Sequence, residues 1–420
     1  MRYASGVKMN IQNNTNMNTD PSQTPGEMAN DVKGEGLDYR SHIQNLSPNP
    51  GAKLLRYGKT KEGVISLAQG EGDAPTPEFI RNAAIQALQE GKTFYGMPLG
   101  LMELREELTQ YYKRIYEIDL PVSRAYVTSS GSKAMNLALQ SLIEKGDEVV
   151  AVTPIWKNLL NCLEVVEANI IESPMDFIDG KWSLDLDKLF ASCTDKTRAI
   201  LITTPSNPTG WVMEKDQMQA VLDYARKHGI WLISDEVYGR LTYDRLHAPS
   251  FLEISDPHDR LYTVNNFSKA WAMTGWRLGW LVGPQGSEGI IQDVANYDYM
   301  CPPSFSQYGA MAALQEGEPF LQELLTLWQG NMDFMFDAFA TNDRIIAKKP
   351  DAAFYAFLKV EGETDSVAFA RRLIDDYAIS LAPGSSFGRV GEGFMRFCFA
   401  TSRPKLEEAI GRFMKAVDAL

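Results

Sequence analysis

The feature that most constrains the fold is an alternation of short apolar runs with longer amphipathic segments between residues 125 and 283. Runs such as Ala199–Thr203 and Ile230–Ile233 have the length of strands, whereas the segments between them repeat apolar residues at helical spacing. Helices that regularly separate strands imply parallel strands with right-handed crossovers. The sequence therefore predicts an α/β fold whose ligand site lies beyond the carboxyl ends of the strands.

Polar motifs follow several of these predicted strands. Ser129–Ser132 separates the strand Ala125–Thr128 from a helical pattern, so its backbone N–H groups lie at a helix N-terminus, where an anion is favoured. Pro205–Gly210 and Ser234–Tyr238 each end a further apolar run. Because the carboxyl ends of parallel strands share one edge of a sheet, we expect these motifs to meet at one site.

A lysine and an arginine extend this pattern. Lys269 follows another short apolar run beside Ser268, and Arg277 lies eight residues later, between Gly275 and Gly279. A lysine that condenses with an aldehyde must be partly desolvated so that some of it is neutral. An arginine at a fixed offset can hold a phosphate with two hydrogen bonds. Alone, the stretch would be better explained by a solvated lysine and a structural arginine, but the upstream motifs favour an aldehyde carrier that bears a phosphate.

The order of these motifs resembles that of the fold type I pyridoxal phosphate enzymes, specifically the class I/II aminotransferases related to aspartate aminotransferase. The motifs are Ser-Gly-Ser, Asn-Pro-Thr-Gly, Asp-x-x-Tyr, Ser-Lys and the arginine eight residues after the lysine, and the resemblance runs from about Ser66 to the C-terminus. It implies pyridoxal 5′-phosphate as cofactor. It also implies a large domain with a mostly parallel central sheet between helices, and a smaller α/β domain formed by the N-terminal segment and the C-terminal part.

The predicted domain limits follow from the resemblance and from composition. Residues 38–75 form the N-terminal segment of the small domain, 76–320 the large cofactor-binding domain, and 321–420 the C-terminal part of the small domain. Residues 1–37 are predicted to be a flexible arm, since most of them are polar, Gly or Pro. A weak helical pattern is expected within Asp38–Ser47, followed by a loop at Pro48–Gly51.

The resemblance also implies residue roles. Lys269 is expected to form the Schiff base and to move the proton at the substrate Cα, Asp235 to pair with the pyridine nitrogen, and Tyr238 to bond the ring's phenolic oxygen. These three are the predicted catalytic residues. The remaining predicted cofactor contacts are Ser130, Gly131, Ser132, Ser268 and Arg277 around the phosphate, Asn207 at the phenolic oxygen, Trp156 stacked on the ring, and Tyr95, which reaches the phosphate of a dimer partner.

A predicted substrate-binding set completes the site. Arg396 interrupts an otherwise apolar strand, and a buried arginine needs an anion; the resemblance implies the substrate α-carboxylate. Gly70 and Asn207 are the other expected substrate contacts, although the usual Gly-x-Pro-Asp reads Gly-Glu-Gly-Asp here. Taken singly, these residues have simpler explanations: a structural salt bridge for Arg396, and core or loop packing for Trp156 and Tyr95.

Composition narrows the partners. A net charge of −13 and a pI of about 5.0 argue against nucleic acid or an anionic membrane. The four cysteines show no metal-ligand spacing and are too few for a disulfide framework, so a reducing cytoplasm is expected and no metal site is predicted. No signal peptide or apolar run near ~18 residues is evident. The expected partners are small amino acids and 2-oxo acids, with a homodimer as the functional unit.

Three functions are compatible with these observations. The leading one is an aminotransferase that moves an amino group between an L-amino acid and a 2-oxo acid. The same scaffold also carries lyases, synthases and cyclases that act by β- or γ-elimination or substitution. A third reading, a cofactor-binding regulator, is disfavoured because the N-terminal arm is too short and polar for a DNA-binding module.

One pattern bears on the substrate side chain. Dicarboxylate-specific relatives carry an arginine about six residues before a Pro-Pro pair, and here Asn296 stands six residues before Pro302. No lysine or arginine lies between Gly283 and Pro303. If Asp298 faced the site, it would repel a distal carboxylate and would instead pair with an amino or guanidinium group. We therefore predict that aspartate and glutamate are not the preferred donors, and that neutral polar, aromatic or cationic side chains are better accepted.

Overall fold

The computed structural model describes residues 38–420. Contacts divide the chain into two units, Met1–Asn45 and Leu46–Leu420. The described part of the first unit contains the short helix α1 (Ser41–Gln44). It is shorter than the segment Asp38–Ser47, in which a helical pattern was expected. The predicted flexible arm, residues 1–37, lies outside the described residues.

Helices and strands alternate through most of the second unit. Its α-helices are α2 (Pro50–Lys59), α3 (Glu78–Gln89), α4 (Met102–Tyr116), α5 (Gly131–Leu142), α6 (Lys157–Val165), α7 (Leu186–Ala191), α8 (Lys215–His228), α9 (Glu288–Asp298), α10 (Ser304–Glu316), α11 (Glu318–Phe339), α12 (Ser366–Tyr377) and α13 (Arg403–Asp418). Within residues 38–420, no helix is both long enough and apolar enough to span a membrane.

The strands are β1 (Ile65–Ser66), β2 (Ala125–Thr128), β3 (Glu148–Thr153), β4 (Asn169–Pro174), β5 (Asp176–Ile178), β6 (Lys181–Ser183), β7 (Thr197–Thr203), β8 (Trp231–Asp235), β9 (Leu261–Asn266), β10 (Gly279–Val282), β11 (Ile345–Ile346), β12 (Tyr355–Val360), β13 (Ile379–Ser380), β14 (Ala382–Pro383) and β15 (Phe394–Cys398). Seven of them form the central sheet, in the order β2-β10-β9-β8-β7-β3-β4.

The central sheet is mostly parallel. Strands β4, β3, β7, β8 and β9 pair in parallel, as the helical crossovers predict. Strand β10 is the exception, since it pairs antiparallel with both β9 and β2. The chain reaches β10 from β9 through residues 267–278, without an α-helix, and such a direct return suits an antiparallel neighbour. Lys269 and Arg277 both lie in this connection.

Apolar side chains cover both faces of the central sheet. Along β3, Val149 and Ala151 pack into one hydrophobic cluster with residues of α5 and α6, whereas Val150 and Val152 pack into the other. Burial on both faces explains why these strands read as continuous apolar runs in the sequence. The sheet therefore provides a rigid support for the polar residues at its carboxyl edge.

A second, antiparallel sheet has the order β11-β12-β15-β14. The N-terminal segment joins this part of the chain, because β1 pairs in parallel with β13, with Ile65 opposite Ile379. The C-terminal part and the N-terminal segment thus meet, as expected. The domain limits at residues 75 and 320 remain a prediction.

The predicted loop at Pro48–Gly51 is wrong in its second half, because α2 begins at Pro50. The Asn49 side chain accepts a hydrogen bond from the backbone N–H of Ala52 at 3.0 Å, which caps the first turn. A proline is compatible with the first helical position, where its missing N–H has no helical partner to lose. The Asn-Pro pair is therefore a helix start rather than a turn.

Candidate active site

A cavity of about 430 Å³ lies where the carboxyl ends of the central strands face the four-stranded sheet. It gathers residues that are far apart in the sequence, from Asn49 to Arg396. The predicted site residues that line it are Gly70, Gly131, Ser132, Trp156, Asn207, Asp235, Tyr238, Ser268, Lys269, Arg277 and Arg396. Ser130 and Tyr95 do not line it.

Lys269 extends into this cavity from the connection after β9. Its Nζ donates a hydrogen bond to the backbone oxygen of Gly70 at 2.7 Å. Burial lowers the pKa of the lysine to about 8; Cys398 opposes this shift, whereas Arg396 adds to it. A larger fraction of this amine is therefore neutral near pH 7 than for an exposed lysine, which is the state that attacks a carbonyl carbon.

Asp235 is the last residue of β8 and is buried. Its Oδ1 accepts a hydrogen bond from the backbone N–H of Val237 at 3.3 Å. Burial raises its pKa to about 7, and this is opposed by the Val237 hydrogen bond and by the charge of Lys269. Since the carboxylate forms no ion pair within residues 38–420, it is available to a cation in the cavity.

Arg396 lies on β15 and is buried. Its Nη1 donates to Asn207 Oδ1 at 2.7 Å and its Nη2 to the backbone oxygen of Ala68 at 2.5 Å. Its Nε is buried without a hydrogen-bond partner, and no carboxylate pairs with the guanidinium among the described residues. The salt-bridge explanation therefore receives no support, and an anion in the cavity would complete the side chain's hydrogen bonding.

At the turn before α5, the backbone packs closely against the backbone of β10. Ser130 caps the helix, with its Oγ accepting from the N–H of Lys133 at 3.1 Å. A Cβ on Gly279 would overlap the backbone of this turn at Gly131, so only glycine allows β10 to pass. Gly131 and Ser132 line the cavity, whereas Ser130 does not, so the groups available there are the amides of this turn and the hydroxyl of Ser132.

Arg277 stands at the other side of the same turn. Its backbone is left-handed, with φ at +54°, a conformation that costs energy for a residue with a side chain and clusters at functional sites. Its Nη1 donates to the backbone oxygen of Thr274 at 2.7 Å, which orients the guanidinium. Ser268 is held by a hydrogen bond from its N–H to Asn266 Oδ1 at 2.9 Å, and Asn266 also lines the cavity. Amides, hydroxyls and a guanidinium thus surround a space suited to a phosphate.

Tyr95 lies apart from the cavity of its own chain, with 84% of its surface exposed. Its neighbour Phe94 is equally exposed at 84%, and the Ser304 hydroxyl anchors the Phe94 carbonyl at 2.9 Å. Trp156, in contrast, lines the cavity at the start of α6, where it is half-buried.

Tyr355 is a cavity residue that was not predicted from the sequence. It is the first residue of β12 and is fully buried, and its hydroxyl lies 2.8 Å from the hydroxyl of Tyr238. A tyrosine in an apolar run resembles a core residue, so the sequence does not indicate that Tyr355 lines a cavity. Other cavity-lining residues that sequence reasoning missed are Asn49, Gly51, Ala52, Leu55, Ser386 and Phe387.

Asp298 does not present a free carboxylate to the cavity. Both of its oxygens accept from Lys133 Nζ, at 2.9 and 2.8 Å, and Asp298 does not line the cavity. The idea that this aspartate pairs with a cationic substrate therefore loses its structural basis. The observation that no arginine stands at Asn296 is unaffected.

Comparison with known proteins agrees with this site. Residues 62–413 match the family model "Aminotransferase class I and II". A probable aspartate aminotransferase of Methanocaldococcus jannaschii is 33% identical over 88% of this chain and 97% of that protein. The aromatic-amino-acid aminotransferase 2 of Thermococcus litoralis is 31% identical, over 89% and 97% of the two chains. The crystal structure of aspartate aminotransferase from Thermotoga maritima superposes with a TM-score of 0.84 at 30% identity, covering 90% of this chain and all of that one.

The chain belongs to the class I and II aminotransferases. It is an enzyme that transfers an amino group between an amino acid and a 2-oxo acid, and its cofactor is pyridoxal phosphate. The resemblance, the α/β fold class, the activity and the cofactor predicted from the sequence are thereby confirmed, and nothing favours the lyase, synthase or cyclase alternative.

The residues of the cavity fit this cofactor. A buried carboxylate without a cation, Asp235, suits a protonated ring nitrogen. The Gly131–Ser132 amides and Arg277 suit the phosphate, and the Lys269 amine suits the aldehyde. The unpartnered Nε of Arg396 suits the carboxylate of the amino acid.

Proposed function

We propose that Lys269 is the residue that holds the cofactor and moves the substrate proton in this aminotransferase. When bound, pyridoxal phosphate supplies an aldehyde that condenses with amines and a ring that withdraws electrons from the substrate Cα. The observation that carries the assignment is that the Lys269 amine, with its pKa lowered to about 8, shares one cavity with the uncompensated carboxylate of Asp235.

The other residues of the cavity position the two ligands. Asp235 keeps the ring nitrogen protonated, because its buried carboxylate gains a cation there. Tyr238 and Asn207 donate to the ring's phenolic oxygen, and Trp156 stacks on the ring. Arg396 binds the α-carboxylate of the amino acid beside the backbone of Gly70. With the cofactor and the amino acid bound, the Lys269 amine would accept and return the proton at the substrate Cα.

Spectroscopy of the purified enzyme tests this proposal. Each amino acid of a panel is added to the cofactor-loaded enzyme while its visible absorbance is followed. Conversion of the cofactor to its amine form, with release of one 2-oxo acid per active site, is the expected result. Return of the cofactor to the aldehyde with release of ammonia would instead indicate an eliminase and would contradict the proposal.

We infer that the preferred donor has no distal carboxylate. Arg396 is assigned to the α-carboxylate, and residue 296 is an asparagine rather than an arginine. Of the lysines that line the cavity, Lys157 is paired with Glu164 at 3.7 Å, and Lys59 is exposed. Several relatives are named aspartate aminotransferases and another an aromatic-amino-acid aminotransferase, so both side-chain classes are natural test substrates. The measurement compares kcat/KM for aspartate and glutamate with that for phenylalanine and glutamine. A clear preference for aspartate would contradict the inference.

We also propose a cytoplasmic homodimer whose active sites each use two chains. Phe94 and Tyr95 are aromatic side chains exposed to 84% on one loop, and Met97 of the same loop is exposed to 61%, a pattern typical of an interaction surface. The cysteines Cys162, Cys193, Cys301 and Cys398 are all unpaired, as expected in a reducing compartment.

Subunit mixing tests the shared site. If Tyr95 reaches the partner's phosphate, Lys269→Ala and Tyr95→Phe subunits would recover intact sites when mixed, and light scattering would report a dimer. A monomer with full activity would rule the shared site out.

A further inference from the structure

The inference concerns Tyr355, a buried residue that none of the sequence motifs includes. It begins β12, where it stands opposite Cys398 of β15, while Phe357 stands opposite Arg396. Residues opposite each other on paired strands share a face, so Tyr355 and Arg396 are diagonal neighbours on one face of the sheet. The Arg396 guanidinium lies 4.3 Å from the centre of the Tyr355 ring, in cation–π contact.

The Tyr355 hydroxyl lies between the Tyr238 hydroxyl and Gly70. It lies 2.8 Å from the Tyr238 hydroxyl, and the two rings meet edge to face at 5.7 Å. A Cβ on Gly70 would overlap the Tyr355 hydroxyl oxygen, so the glycine is required for the loop to pass this close. The same Gly70 accepts the hydrogen bond of Lys269 through its backbone oxygen.

The direction of the bond between the two hydroxyls follows from their partners. A phenol has one hydrogen to donate, and within residues 38–420 the Tyr355 hydroxyl has no acceptor other than Tyr238. Both tyrosines line the cavity, but Tyr238 lies three residues after Asp235, on the side that we propose holds the cofactor ring, so its own hydrogen can be directed to a ligand there. When an acceptor occupies the cavity, Tyr238 donates to it and accepts from Tyr355. A hydroxyl that accepts one hydrogen bond becomes a stronger donor in the next.

We propose that Tyr355 is a positioning residue that donates to Tyr238 and so strengthens the hydrogen bond of Tyr238 to the phenolic oxygen of the cofactor. This relay rests on the proposed function, in which Tyr238 contacts that oxygen. In this arrangement Tyr355 makes no hydrogen bond of its own to the cofactor, and acts through Tyr238. Its ring supports Arg396 at the same time, so one residue joins the cofactor contact to the carboxylate contact.

Several charged or titratable groups surround the two hydroxyls. Arg396 and Cys398 of β15 act on Tyr355, and Arg396 and Asp235 act on Tyr238. Lys269, which titrates in the same cavity, is influenced by Cys398, Arg396, Glu71 and Asp235. A change of a tyrosine to phenylalanine leaves all of these groups in place, and therefore isolates the hydroxyl.

The test is a pH titration of the visible absorbance of the cofactor-loaded enzyme, which needs no turnover. A donor to the phenolic oxygen stabilises its negative charge and so favours the deprotonated form of the chromophore. Tyr355→Phe weakens that donor, and the titration midpoint should rise by about half a pH unit, the shift expected from part of one neutral hydrogen bond. Tyr243→Phe is the matched control, because it removes another hydroxyl that is hydrogen-bonded inside the protein, to the Ala353 backbone oxygen at 2.6 Å, without lining the cavity.

A double-mutant cycle separates the relay from a general effect. In the Tyr238→Phe background, Tyr355→Phe should leave the midpoint unchanged, because the group through which it acts is gone. An unshifted midpoint in Tyr355→Phe alone, an equal shift in both backgrounds, or an equal shift in Tyr243→Phe would each overturn the relay. Absence of any lysine-linked absorbance in the unmodified enzyme would overturn the proposed function, and with it the relay.

Discussion

The cavity has two walls that are built in different ways. One wall comes from the carboxyl edge of the central sheet and its adjoining turns, where Asp235, Tyr238 and Lys269 each follow a strand closely. The other comes from the four-stranded sheet, where Tyr355 and Arg396 stand within paired strands. The first wall depends on local backbone turns, whereas the second depends on side chains brought together across strands.

This difference separates two tasks. The first wall holds the groups that we propose pair with the cofactor, on turns fixed by strand ends, a helix cap and glycines such as Gly279. The second wall offers the open Nε of Arg396 to the amino acid. Changes to the first wall should therefore alter the cofactor's spectrum, and a change of Arg396 in the second wall should alter substrate binding. Tyr355 of the second wall should affect the spectrum only through Tyr238 of the first.

The largest effect is expected from the first wall. Lys269→Ala should abolish the lysine-linked visible absorbance and turnover together. The other two lysines that line the cavity are less suited to that bond, because Lys59 is exposed and Lys157 is paired with Glu164 at 3.7 Å. The exposed Lys145, 79% of whose side chain is accessible, provides the control variant Lys145→Ala, which should retain both. A lysine-linked absorbance of normal size in Lys269→Ala would refute the assignment.

Asp235→Asn should lower kcat by orders of magnitude while cofactor remains bound. The amide cannot compensate a protonated ring nitrogen, and a neutral ring withdraws electrons poorly. Single-turnover rates together with cofactor content provide the measurement. Asp256→Asn, which changes an aspartate whose side chain is 80% exposed, should behave as the unmodified enzyme. Near-normal rates in Asp235→Asn would mean that another carboxylate holds the ring.

Arg396→Lys tests the second wall. The variant keeps a positive charge but loses the two-pronged donor, so KM for the amino acid should rise about 10- to 100-fold, as the loss of one charge-assisted hydrogen bond implies. The visible spectrum of the loaded enzyme should change little. Arg389→Lys is the control, because 96% of the Arg389 side chain is exposed. A normal KM, or a spectrum altered as strongly as substrate binding, would remove the distinction between the walls.

The smallest effect concerns pH. In the cofactor-free enzyme, burial lowers the pKa of Lys269 to about 8, so its neutral fraction rises as pH increases and levels off above that value. At pH 7 roughly a tenth of this amine is neutral, far more than for an ordinary lysine. The rate of cofactor capture should therefore reach half its maximum near pH 8, as followed by stopped-flow absorbance. A rate that keeps rising steeply beyond pH 9 would contradict the lowered pKa.

The two walls also differ in how far they could be predicted from the sequence. Most residues of the first wall were predicted to meet at one site. A strand followed by Asp-x-x-Tyr or Ser-Lys is a local pattern, and it can be recognised in the sequence without knowledge of the fold. The antiparallel direction of β10 and the capping use of the Ser130 hydroxyl were not predicted, since both depend on close packing at Gly279 and Gly131.

The second wall could be predicted only in part. Arg396 was found because a charge interrupts an apolar strand, but Tyr355 carries no such contrast with its apolar neighbours. Its role follows from the register of β12 against β15, which joins residues about forty positions apart. The start of α2 at Pro50 was also missed, because Asn-Pro signals a turn as well as a helix cap.

The most direct test of the assigned site is to fix the cofactor to its lysine. The loaded enzyme is reduced with borohydride, digested with trypsin and mapped by mass spectrometry. The reduced cofactor should be found on one peptide, Leu261–Arg277, which contains Lys269 and begins after Arg260. Attachment to any other lysine, or no covalent attachment at all, would contradict the central claim that Lys269 forms the bond with pyridoxal phosphate.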